Sequence, residues 1–585
     1  MAENLNRNHA ATGWLASALE ALVAMGDAVA RFPVTVFFLF LTATYANALV
    51  ADIDLVPAAL LGAANKDDLL FALIAAVIAS FAATLFAQAR QLSALISVAL
   101  PVLAGVAAFA VMWPDITERT VEWAFVLSLM ALAPIAPFAW RGTGDAFWMF
   151  TARLVFAVGL GLLAFALFGG GISAILASLT HLFGIDVPND LYEHIWASIG
   201  LFVAPLFGLG QTPRTFDEEP GGHEHALMQS GMRALGDFAA VPMLIIYALI
   251  LHLYAAKIAI TGEVPQGQIG WLVLTYGVCI VAVLLLTKPF LDTARAPTRF
   301  FVRFWPLFLL APLGLLFYAL ALRVGAFGWT PQRYFLGLFG LVTLALVGMQ
   351  ALPRLRGDIR LIAGIPVLAL LLGSFGPQGA LDWSVRSQTA RFLELVNDTP
   401  LSVAAKSEAL SVLRYLNGED AVGAVEPEGF ALSPDGNAYR EVAIAWGLDP
   451  DNPVHVDRNG VFYSNPLIVA FKSDGFDVVV QNAIFLDGEP GTFDIVLPDG
   501  GKIALLLKQN AVSVKTANGV EGLFPLEEER IASLASQDGQ TVMFSLEAEG
   551  RKILIVPSHL HATFEPELEL RNMTGTLLLR LEDWK

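Results

Sequence analysis

The chain has 585 residues, of which 56% are hydrophobic and only 15% are charged, and its mean hydropathy is +0.63. Soluble proteins carry about 25% charged residues, so this composition excludes a chain that is soluble throughout. The net charge of −18 is unevenly spread: residues 380–585 hold 31 acidic and 16 basic residues, and residues 1–379 hold 22 and 19. An acidic chain without a basic aromatic patch is not expected to bind nucleic acid.

Residues 1–32 form the first predicted segment. Their pattern is amphipathic, and Glu20 and Asp27 interrupt it, which is not typical of a cleaved secretory signal. We interpret them as a cytoplasmic N-terminal segment. The one cysteine, Cys279, lies in an apolar stretch, so the tail is expected to fold without disulfides or a thiolate metal site.

Residues 33–378 are predicted to be a transmembrane domain of about eleven helices. A span needs about 20 mostly apolar residues to cross a hydrocarbon core of about 30 Å. The predicted spans are 33–50, 69–87, 92–113, 122–140, 146–168, 191–210, 238–257, 269–290, 304–323, 332–351 and 359–376. The glycine-rich stretch 169–185 is too short to cross and is predicted to be a re-entrant or interfacial helix.

The basic residues of the loops predict the orientation of the domain. One alternate set of loops holds thirteen Lys and Arg residues and the other set holds five. Because cytoplasmic loops carry the excess of positive charge, the N-terminus is expected in the cytoplasm. With an odd number of spans, the tail then lies outside the cytoplasm, which means the periplasm if the membrane is a bacterial inner membrane.

The tail is predicted to be mainly β. Residues 379–420 have the apolar spacing of two helices and form a helical connector. Residues 421–585 change to period-two alternation with DG, PDGG and EG turns, which indicates a β-rich domain. The clearest strand is predicted at 559–571, with one polar and one apolar face.

Two histidine patterns are candidate metal sites. His559 and His561 share one face of the predicted strand, and 217–225 contains two histidines beside acidic residues. Zinc needs three or four converging ligands, so we favour a solvated strand face and a solvated loop. No cofactor or metal is therefore expected.

The membrane domain resembles a known family of bacterial membrane proteins. The matching features are the Tyr-x6-Tyr-x2-Lys helix (Tyr247, Tyr254 and Lys257), Phe-Trp-Pro at 304–306 and Gly-Trp-Thr-Pro-x-Arg-Tyr at 328–334. Together they resemble domain-of-unknown-function family 4153. The resemblance implies a polytopic inner-membrane protein without an assigned activity.

Candidate ligand-binding residues lie where the ninth and tenth spans meet. Arg323 and Arg333 flank a short loop, and Trp329 and Tyr334 suit the aromatic belt at the membrane interface. Thr330 is predicted to cap the tenth span. The basic residues are expected either to receive an anionic headgroup or the acidic tail, or only to snorkel at helix ends.

The seventh span supplies the remaining candidates. At 100° per residue, Tyr247, Tyr254 and Lys257 fall on one face of the helix, which is a candidate packing or ligand surface. His252 lies nearly opposite and is expected to bond a neighbouring helix.

The motifs leave several functions open. The chain has no Walker loop, dinucleotide fingerprint, HExxH or nucleophile elbow, so the sequence favours a protein that is not an enzyme. The first hypothesis is transport or handling of a small molecule or lipid, with membrane lipids as partners. The alternative is a sensor or envelope-assembly scaffold whose tail binds a protein partner. A membrane transferase is a weaker third hypothesis.

Overall fold

The structure is a computed structural model and divides into two units, Met1–Ser384 and Val385–Lys585. The boundary lies within the predicted connector. The described residues are 23–57, 65–113, 120–217, 223–261, 269–397, 403–427, 429–430, 436–450, 455–457, 460–464, 473, 475–487, 495–508, 511–526, 531, 542–563 and 569–584.

The first unit is an α-helical multi-pass membrane bundle. Within its described residues, eleven apolar helices follow one another, and nine of them are long and apolar enough to cross a membrane. They are α1 (Pro33–Val50), α2 (Lys66–Ala89), α3 (Ala94–Met112), α4 (Glu122–Ile135), α5 (Gly144–Phe183), α6 (Asn189–Gly210), α7 (His223–Leu235 continued by Val241–Thr261), α8 (Ile269–Thr287), α9 (Ala296–Phe327), α10 (Pro331–Met349) and α11 (Ile359–Gly373). The prediction of about eleven helices is confirmed. The two shorter helices are α4, extended by a 3₁₀ turn to Phe138, and α11.

Polar residues at the helix ends fix where several spans begin. Asn65 forms a capping box with Asp68 at the start of α2. The Thr143 hydroxyl accepts from the Ala146 amide at the start of α5, and the Asp358 carboxylate accepts from the Arg360 amide at the start of α11. Each cap satisfies backbone N–H groups that have no partner within the helix.

The predicted separate helix at 169–185 is wrong. Residues 169–183 continue α5, which runs for 40 residues without interruption. A side chain at Gly169 would place its Cβ 2.5 Å from the Trp196 ring, so the glycine allows α6 to pack closely against α5. The helix ends at Gly184, which has the left-handed φ of 64° that is common after a helix C-terminus.

Two helices of the bundle contain π-helical turns. One is Ile199–Val203 in α6, and the other is Gly236–Ala240 in α7. Each ends two residues before a proline, Pro205 or Pro242. A proline lacks the N–H of a regular helix and clashes with the carbonyl four residues earlier, and a wider turn at that point relieves the conflict.

Arginines of the basic loops bond to backbone carbonyls of other segments. The Arg31 guanidinium donates to the carbonyls of Thr212 and Pro213, both at 2.8 Å, and to the Gln88 amide oxygen. The Arg360 guanidinium donates to the carbonyl of Arg141 at 3.0 Å. These basic residues therefore hold loops together, in addition to any effect of their charge on the orientation of the membrane domain.

Asp237 is a buried carboxylate in the π turn of α7. Its side chain accepts from the Thr298 hydroxyl at 2.6 Å and from the Arg295 amide at 3.2 Å, and it lies 3.4 Å from the Arg233 guanidinium. Arg295 is the N-cap residue of α9. The carboxylate thus stabilises the N-terminus of α9 both by hydrogen bonding and by its charge.

The second unit begins with three helices, of which the sequence predicts the first two, whereas the third lies in the part that is predicted to be β-rich. They are α12 (Ala380–Asn397), which crosses the boundary of the units, α13 (Val403–Gly418) and α14 (Ala438–Ala445). Their apolar faces form one cluster that includes Phe392, Leu413 and Val442, all fully buried. The Trp446 indole donates to the Val425 carbonyl at 2.8 Å and so connects two segments of this cluster.

The rest of the unit is a mainly antiparallel sheet. The strands are β1 (His455–Asp457), β2 (Gly460–Ser464), β3 (Val478–Asp487), β4 (Ile495–Val496), β5 (Lys502–Lys508), β6 (Ala511–Thr516), β7 (Glu521–Pro525), β8 (Phe544–Ala548), β9 (Arg551–Thr563) and β10 (Glu569–Leu579). Their order is β1-β2-β9-β10-β3-β5-β6-β7, with β4 beside β5 and β8 beside β9. The described pairs are antiparallel except β3 with β5, which is parallel. The predicted β-rich tail is confirmed.

The prediction of one strand at 559–571 is wrong. Residues 559–563 end β9 and residues 569–571 begin β10, and the two strands pair antiparallel, with Leu570 opposite Ala562. The predicted alternation holds in the last residues of β9, where Leu560 is buried and His559 is exposed. Pro566, which disfavours a continuous strand, lies between the two strands and outside the described residues.

Candidate functional site

A cavity of about 400 Å³ lies where α8, α9 and α10 meet. We call it the arginine cavity, because Arg323 and Arg333 both line it. Its described lining is Ile269, Gly270, Trp271, Leu316, Ala319, Leu320, Leu322, Arg323, Ala326, Phe327, Thr330, Gln332, Arg333 and Leu336. None of these residues is acidic, so the cavity combines apolar walls with two positive charges.

The connection between α9 and α10 positions the two arginines. Helix α9 ends at Phe327, and Gly328 adopts a φ of 67°, a conformation that glycine takes at little cost. The chain then re-enters a helix at Pro331, whose fixed φ suits a first helical position. Because only three residues separate the helices, Arg323 in the last turns of α9 and Arg333 in the first turn of α10 face the same cavity.

Arg333 also stabilises the end of α9. Its Nη1 donates to the carbonyls of Gly328 at 2.6 Å and Phe327 at 3.1 Å, and its guanidinium lies 5.6 Å from the centre of the Phe327 ring. A cation at the C-terminus of a helix bonds the last carbonyls and opposes their negative dipole. Arg333 is therefore held in a defined position at the cavity wall.

The N-terminus of α10 opens onto the same cavity. Thr330 is the N-cap residue, as predicted, but its side chain makes no capping hydrogen bond to the described first turn of α10. Its predicted capping role is therefore wrong, and Thr330 lines the cavity instead. An uncapped helix N-terminus carries a partial positive charge. Together with the two guanidinium groups, it makes the cavity suitable for an anion with several oxygen acceptors.

Trp329 and Tyr334 face other surroundings. The Trp329 ring lies against Gly337 on α10, 3.5 Å from the position of a Cβ there. The Tyr334 hydroxyl donates to the Gln378 carbonyl at 2.6 Å, and its ring lies 6.5 Å from that of Trp383. Neither residue lines the arginine cavity. The predicted set of four residues therefore separates into two arginines at the cavity and two aromatics that hold α10 in place.

The candidates of α7 also separate. Tyr247 packs against α8, with its ring 5.6 Å from that of Tyr276 and its hydroxyl 3.4 Å from the Leu272 carbonyl. Tyr254 is half-buried in the same helix interface, and Lys257 is exposed. None of the three lines the arginine cavity.

His252 does not bond a neighbouring helix through its Nδ1, in contrast to the prediction. That atom lies 2.7 Å from the Ala248 carbonyl of its own helix. The carbonyl one turn earlier is the acceptor within easiest reach of a helical side chain, so no second helix is needed to satisfy this nitrogen.

Sequence reasoning missed the residues that complete the cavity. Trp271 and Ile269 at the start of α8 and Gln332 and Leu336 on α10 line it beside the arginines. The sequence places Gly270-Trp271 and Gly328-Trp329 at the ends of neighbouring spans. This repeated Gly-Trp pair indicates where the cavity lies, but it does not show which of the two tryptophans lines the cavity.

The helices and the cavity define a multi-pass membrane protein. The chain belongs to the family described as domain of unknown function (DUF4153), which it matches over residues 55–394. The predicted resemblance is therefore confirmed. An uncharacterized protein of Pasteurella multocida (strain Pm70) is 27% identical over 166 residues, which are 28% of this chain and 27% of that protein. The matched region thus spans about a quarter of the curated relative. No solved structure matches the chain.

Proposed function

We propose that this protein binds the phosphate group of an anionic phospholipid in the arginine cavity and handles lipid in the membrane. The observation that carries the proposal is the presence of Arg323, Arg333 and the uncapped start of α10 around one partly apolar cavity. Guanidinium groups bind phosphate oxygens with two parallel hydrogen bonds. A helix N-terminus adds backbone N–H donors.

The apolar part of the lining supports a lipid rather than a free anion. Leu316, Leu320 and Leu336 line the cavity below the arginines. A soluble phosphate would leave this surface without a partner, whereas the first methylene groups of a lipid chain would cover it. Trp271, which is 66% exposed, lies at the same end of the bundle, and tryptophan is enriched at the level of lipid headgroups.

We further propose the cellular arrangement that the loop charges favour. The membrane is the inner membrane of a bacterium, the N-terminus is cytoplasmic, and the β-rich tail lies in the periplasm. In this orientation the arginine cavity lies at the outer leaflet, so its ligand is a lipid of that leaflet. The thirteen-to-five distribution of basic loop residues supports this orientation.

Thermal unfolding of the purified protein in detergent tests the proposal. Added phosphatidylglycerol should raise the midpoint of unfolding of the wild type, because a ligand at a hundred times its Kd stabilises by about 2.7 kcal/mol. Phosphatidylcholine, which has no net charge, should raise it much less. Arg323→Ala and Arg333→Ala should each weaken phosphatidylglycerol binding by about tenfold or more, since each removes charged hydrogen bonds.

Arg299→Ala is the matched control, because Arg299 is another arginine of α9 that lies exposed at its opposite end. It should leave the lipid-dependent shift unchanged. Arg333→Ala also removes the bonds that close α9, so the difference between protein with and without lipid is the quantity compared. An equal shift in all four proteins would remove the arginine cavity from the site and favour the scaffold alternative.

A further inference from the structure

A second and larger cavity lies on a different set of helices. It has a volume of about 680 Å³ and is bounded by α1, α2, α4, α5 and α6. Ligand-binding cavities in proteins typically measure about 300–1,000 Å³, so its size is that of a binding site. On α6 alone its lining runs from Trp196 to Leu209, a distance of about 20 Å at 1.5 Å per residue. The cavity is therefore long and runs along the bundle.

The walls of this cavity are almost entirely apolar. Among the described residues that line it, none is charged, and three are threonines. The Thr42 hydroxyl donates to the Phe38 carbonyl of its own helix at 2.8 Å, and the Thr35 hydroxyl accepts from Ser80 at 3.2 Å. The Thr212 hydroxyl donates to the Gly208 carbonyl at 3.4 Å, so all three hydroxyls have protein partners. A polar metabolite would lose its hydration here without replacement, whereas a hydrocarbon chain would lose nothing.

The cavity is open to the lipid-facing side of the bundle. Met130 on α4 and Val158 and Leu162 on α5 all line it, yet they are 54%, 51% and 64% exposed. All three lie well inside their helices, with Met130 eight residues after Glu122, or about 12 Å along the axis. Exposure at that depth is exposure to lipid tails, so a chain can enter sideways between α4 and α5.

A polar cluster lies beyond one end of the cavity. Asn47 lies beyond Thr42 on α1, and its side-chain oxygen is 2.8 Å from His194 Nδ1 on α6. Its amide nitrogen donates to the Ser198 hydroxyl at 3.1 Å. His194 and Ser198 flank Trp196, which lines the cavity. These three residues do not line the apolar cavity but lie next to Thr42 and Trp196, which do, so polar groups are available beside one end of it.

The local structure of α5 and α6 produces the space. Gly200 and Leu201, in the π turn of α6, both line the cavity, and π turns occur frequently at functional sites. At the other side, Gly161 and Gly208 let the two helices touch, since a Cβ on Gly161 would lie 3.3 Å from the Ala204 carbonyl. The close contact and the widened turn together leave a gap beside them.

We infer that this cavity binds one acyl chain of a membrane phospholipid, which enters from the bilayer between α4 and α5. The inference is independent of the arginine cavity, because the two sites share no lining residue. It adds a hydrocarbon-chain site to the proposed headgroup site. A chain held here has its headgroup at the end marked by Asn47 and His194.

Photocrosslinking in nanodiscs tests this inference. The probe is phosphatidylcholine with a diazirine in its acyl chain, which avoids the anionic site, and adducts are mapped by mass spectrometry. Buried lining residues such as Leu154, only 6% exposed, should be labelled in the wild type. Leu163 is 53% exposed and lies outside the cavity lining, so its labelling by bulk lipid is the internal reference.

Ala133→Phe should fill the cavity, because Ala133 is a buried lining residue of α4. Labelling at Leu154 relative to Leu163 should fall about tenfold, which corresponds to 1.4 kcal/mol of binding. Ala131→Phe is the matched control on the same helix, since Ala131 does not line the cavity, and it should label like the wild type. Leu201→Trp fills the cavity from α6 and gives the same readout if Ala133→Phe does not fold.

Three results would overturn the inference: no labelling of Leu154 in the wild type, equal labelling in the filled and control variants, or labelling only by a free diazirine fatty acid. The last result would make the ligand a free acid and not a phospholipid. Ala133→Phe should also keep the phosphatidylglycerol-dependent thermal shift. The two sites can therefore fail separately.

Discussion

At the scale of single residues, Arg333 both stabilises the end of α9 and lines the arginine cavity. Sequence reasoning placed Arg323, Arg333, Trp329 and Tyr334 at one end of the bundle, but it could not assign them to different sides of α10. Arg333 and Tyr334 are adjacent and therefore about 100° apart on the helix. One faces the arginine cavity, and the other bonds the Gln378 carbonyl.

Asp237 is the residue whose loss should most weaken the contact between α7 and α9. We expect Asp237→Asn to lower the free energy of unfolding by about 1–3 kcal/mol, because the Arg295 amide and the Thr298 hydroxyl lose a charged acceptor. Thermal unfolding in detergent measures the change. Asp292→Asn, an exposed position in the turn before α9, should have little effect, and an equal effect of both substitutions would contradict the account.

Glu521 in β7 should make the stability of the tail depend on pH. Hydrogen bonds from Lys508 at 2.7 Å and from Ser513 at 2.7 Å lower the pKa of Glu521 below its usual value of 4.5. A lowered pKa gives stability that is complete above 4.5 and is lost as the pH falls through the lower folded-state value. The ion pair is partly exposed, so the contribution should be below about 1 kcal/mol.

The measurement is the free energy of unfolding of the tail at a series of pH values, for the wild type and for Glu521→Gln. The difference between the two proteins should be largest above pH 4.5 and should disappear at lower pH. A difference that stays constant across this range would show that the carboxylate charge makes no contribution.

At the scale of elements, the helices were predictable because each is a continuous apolar run with polar residues at its ends. The length of α5 was not, since three successive glycines at 169–171 usually oppose a helix. Gly169 is required by the Trp196 ring, and that packing partner is distant in sequence. The two π turns were in principle visible as prolines two residues later, but prolines in spans are too common for that signal to decide.

The adjacent glycines of α5 should respond to alanine in opposite directions. Gly169→Ala should destabilise by about 1–3 kcal/mol, because its Cβ would lie 2.5 Å from the Trp196 ring. Gly170→Ala has no described atom within 4 Å of the new Cβ and should stabilise by about 0.5–1 kcal/mol through helix propensity. Thermal unfolding of the two variants side by side is the test. A stabilising effect of Gly169→Ala would contradict the close contact between Gly169 and the Trp196 ring.

The β-rich tail was predictable in class but less so in strand order. Period-two alternation and the EG turn located β8 and β9, and Glu549 and Gly550 adopt the positive φ values of 53° and 80° that such a turn requires. The alternation could not reveal that β9 and β10 are two strands, because Leu560 and Ala562 of β9 and Leu570 of β10 all belong to the same core. Pairing between distant strands, such as β10 with β3, has no local signal at all.

At the scale of the whole molecule, the class of protein was readable from composition, since 56% hydrophobic residues and an acidic tail leave few alternatives. The two cavities could not be predicted from the sequence. A cavity depends on which faces of five helices meet, and the sequence fixes those faces only through long-range packing. The apolar cavity has no charged residue in its described lining, so nothing in its sequence marks it as a site.

Cysteine labelling in spheroplasts tests the proposed orientation. With Cys279 replaced by serine, Asn518→Cys in the β6–β7 turn should react with a membrane-impermeant maleimide. Ala351→Cys, in an exposed turn after α10, should react only after lysis, because it lies beside the basic loop residues. Reaction of Ala351→Cys in intact spheroplasts, with protection of Asn518→Cys, would reverse the proposed topology.

A single-particle structure of the protein in nanodiscs that contain phosphatidylglycerol would show whether the arginine cavity binds this lipid. We expect headgroup density in the arginine cavity, with a phosphate about 3 Å from the guanidinium groups of Arg323 and Arg333. The same density should be absent in nanodiscs of phosphatidylcholine alone. A cavity that stays empty in phosphatidylglycerol, with both arginines turned into solvent, would contradict the claim.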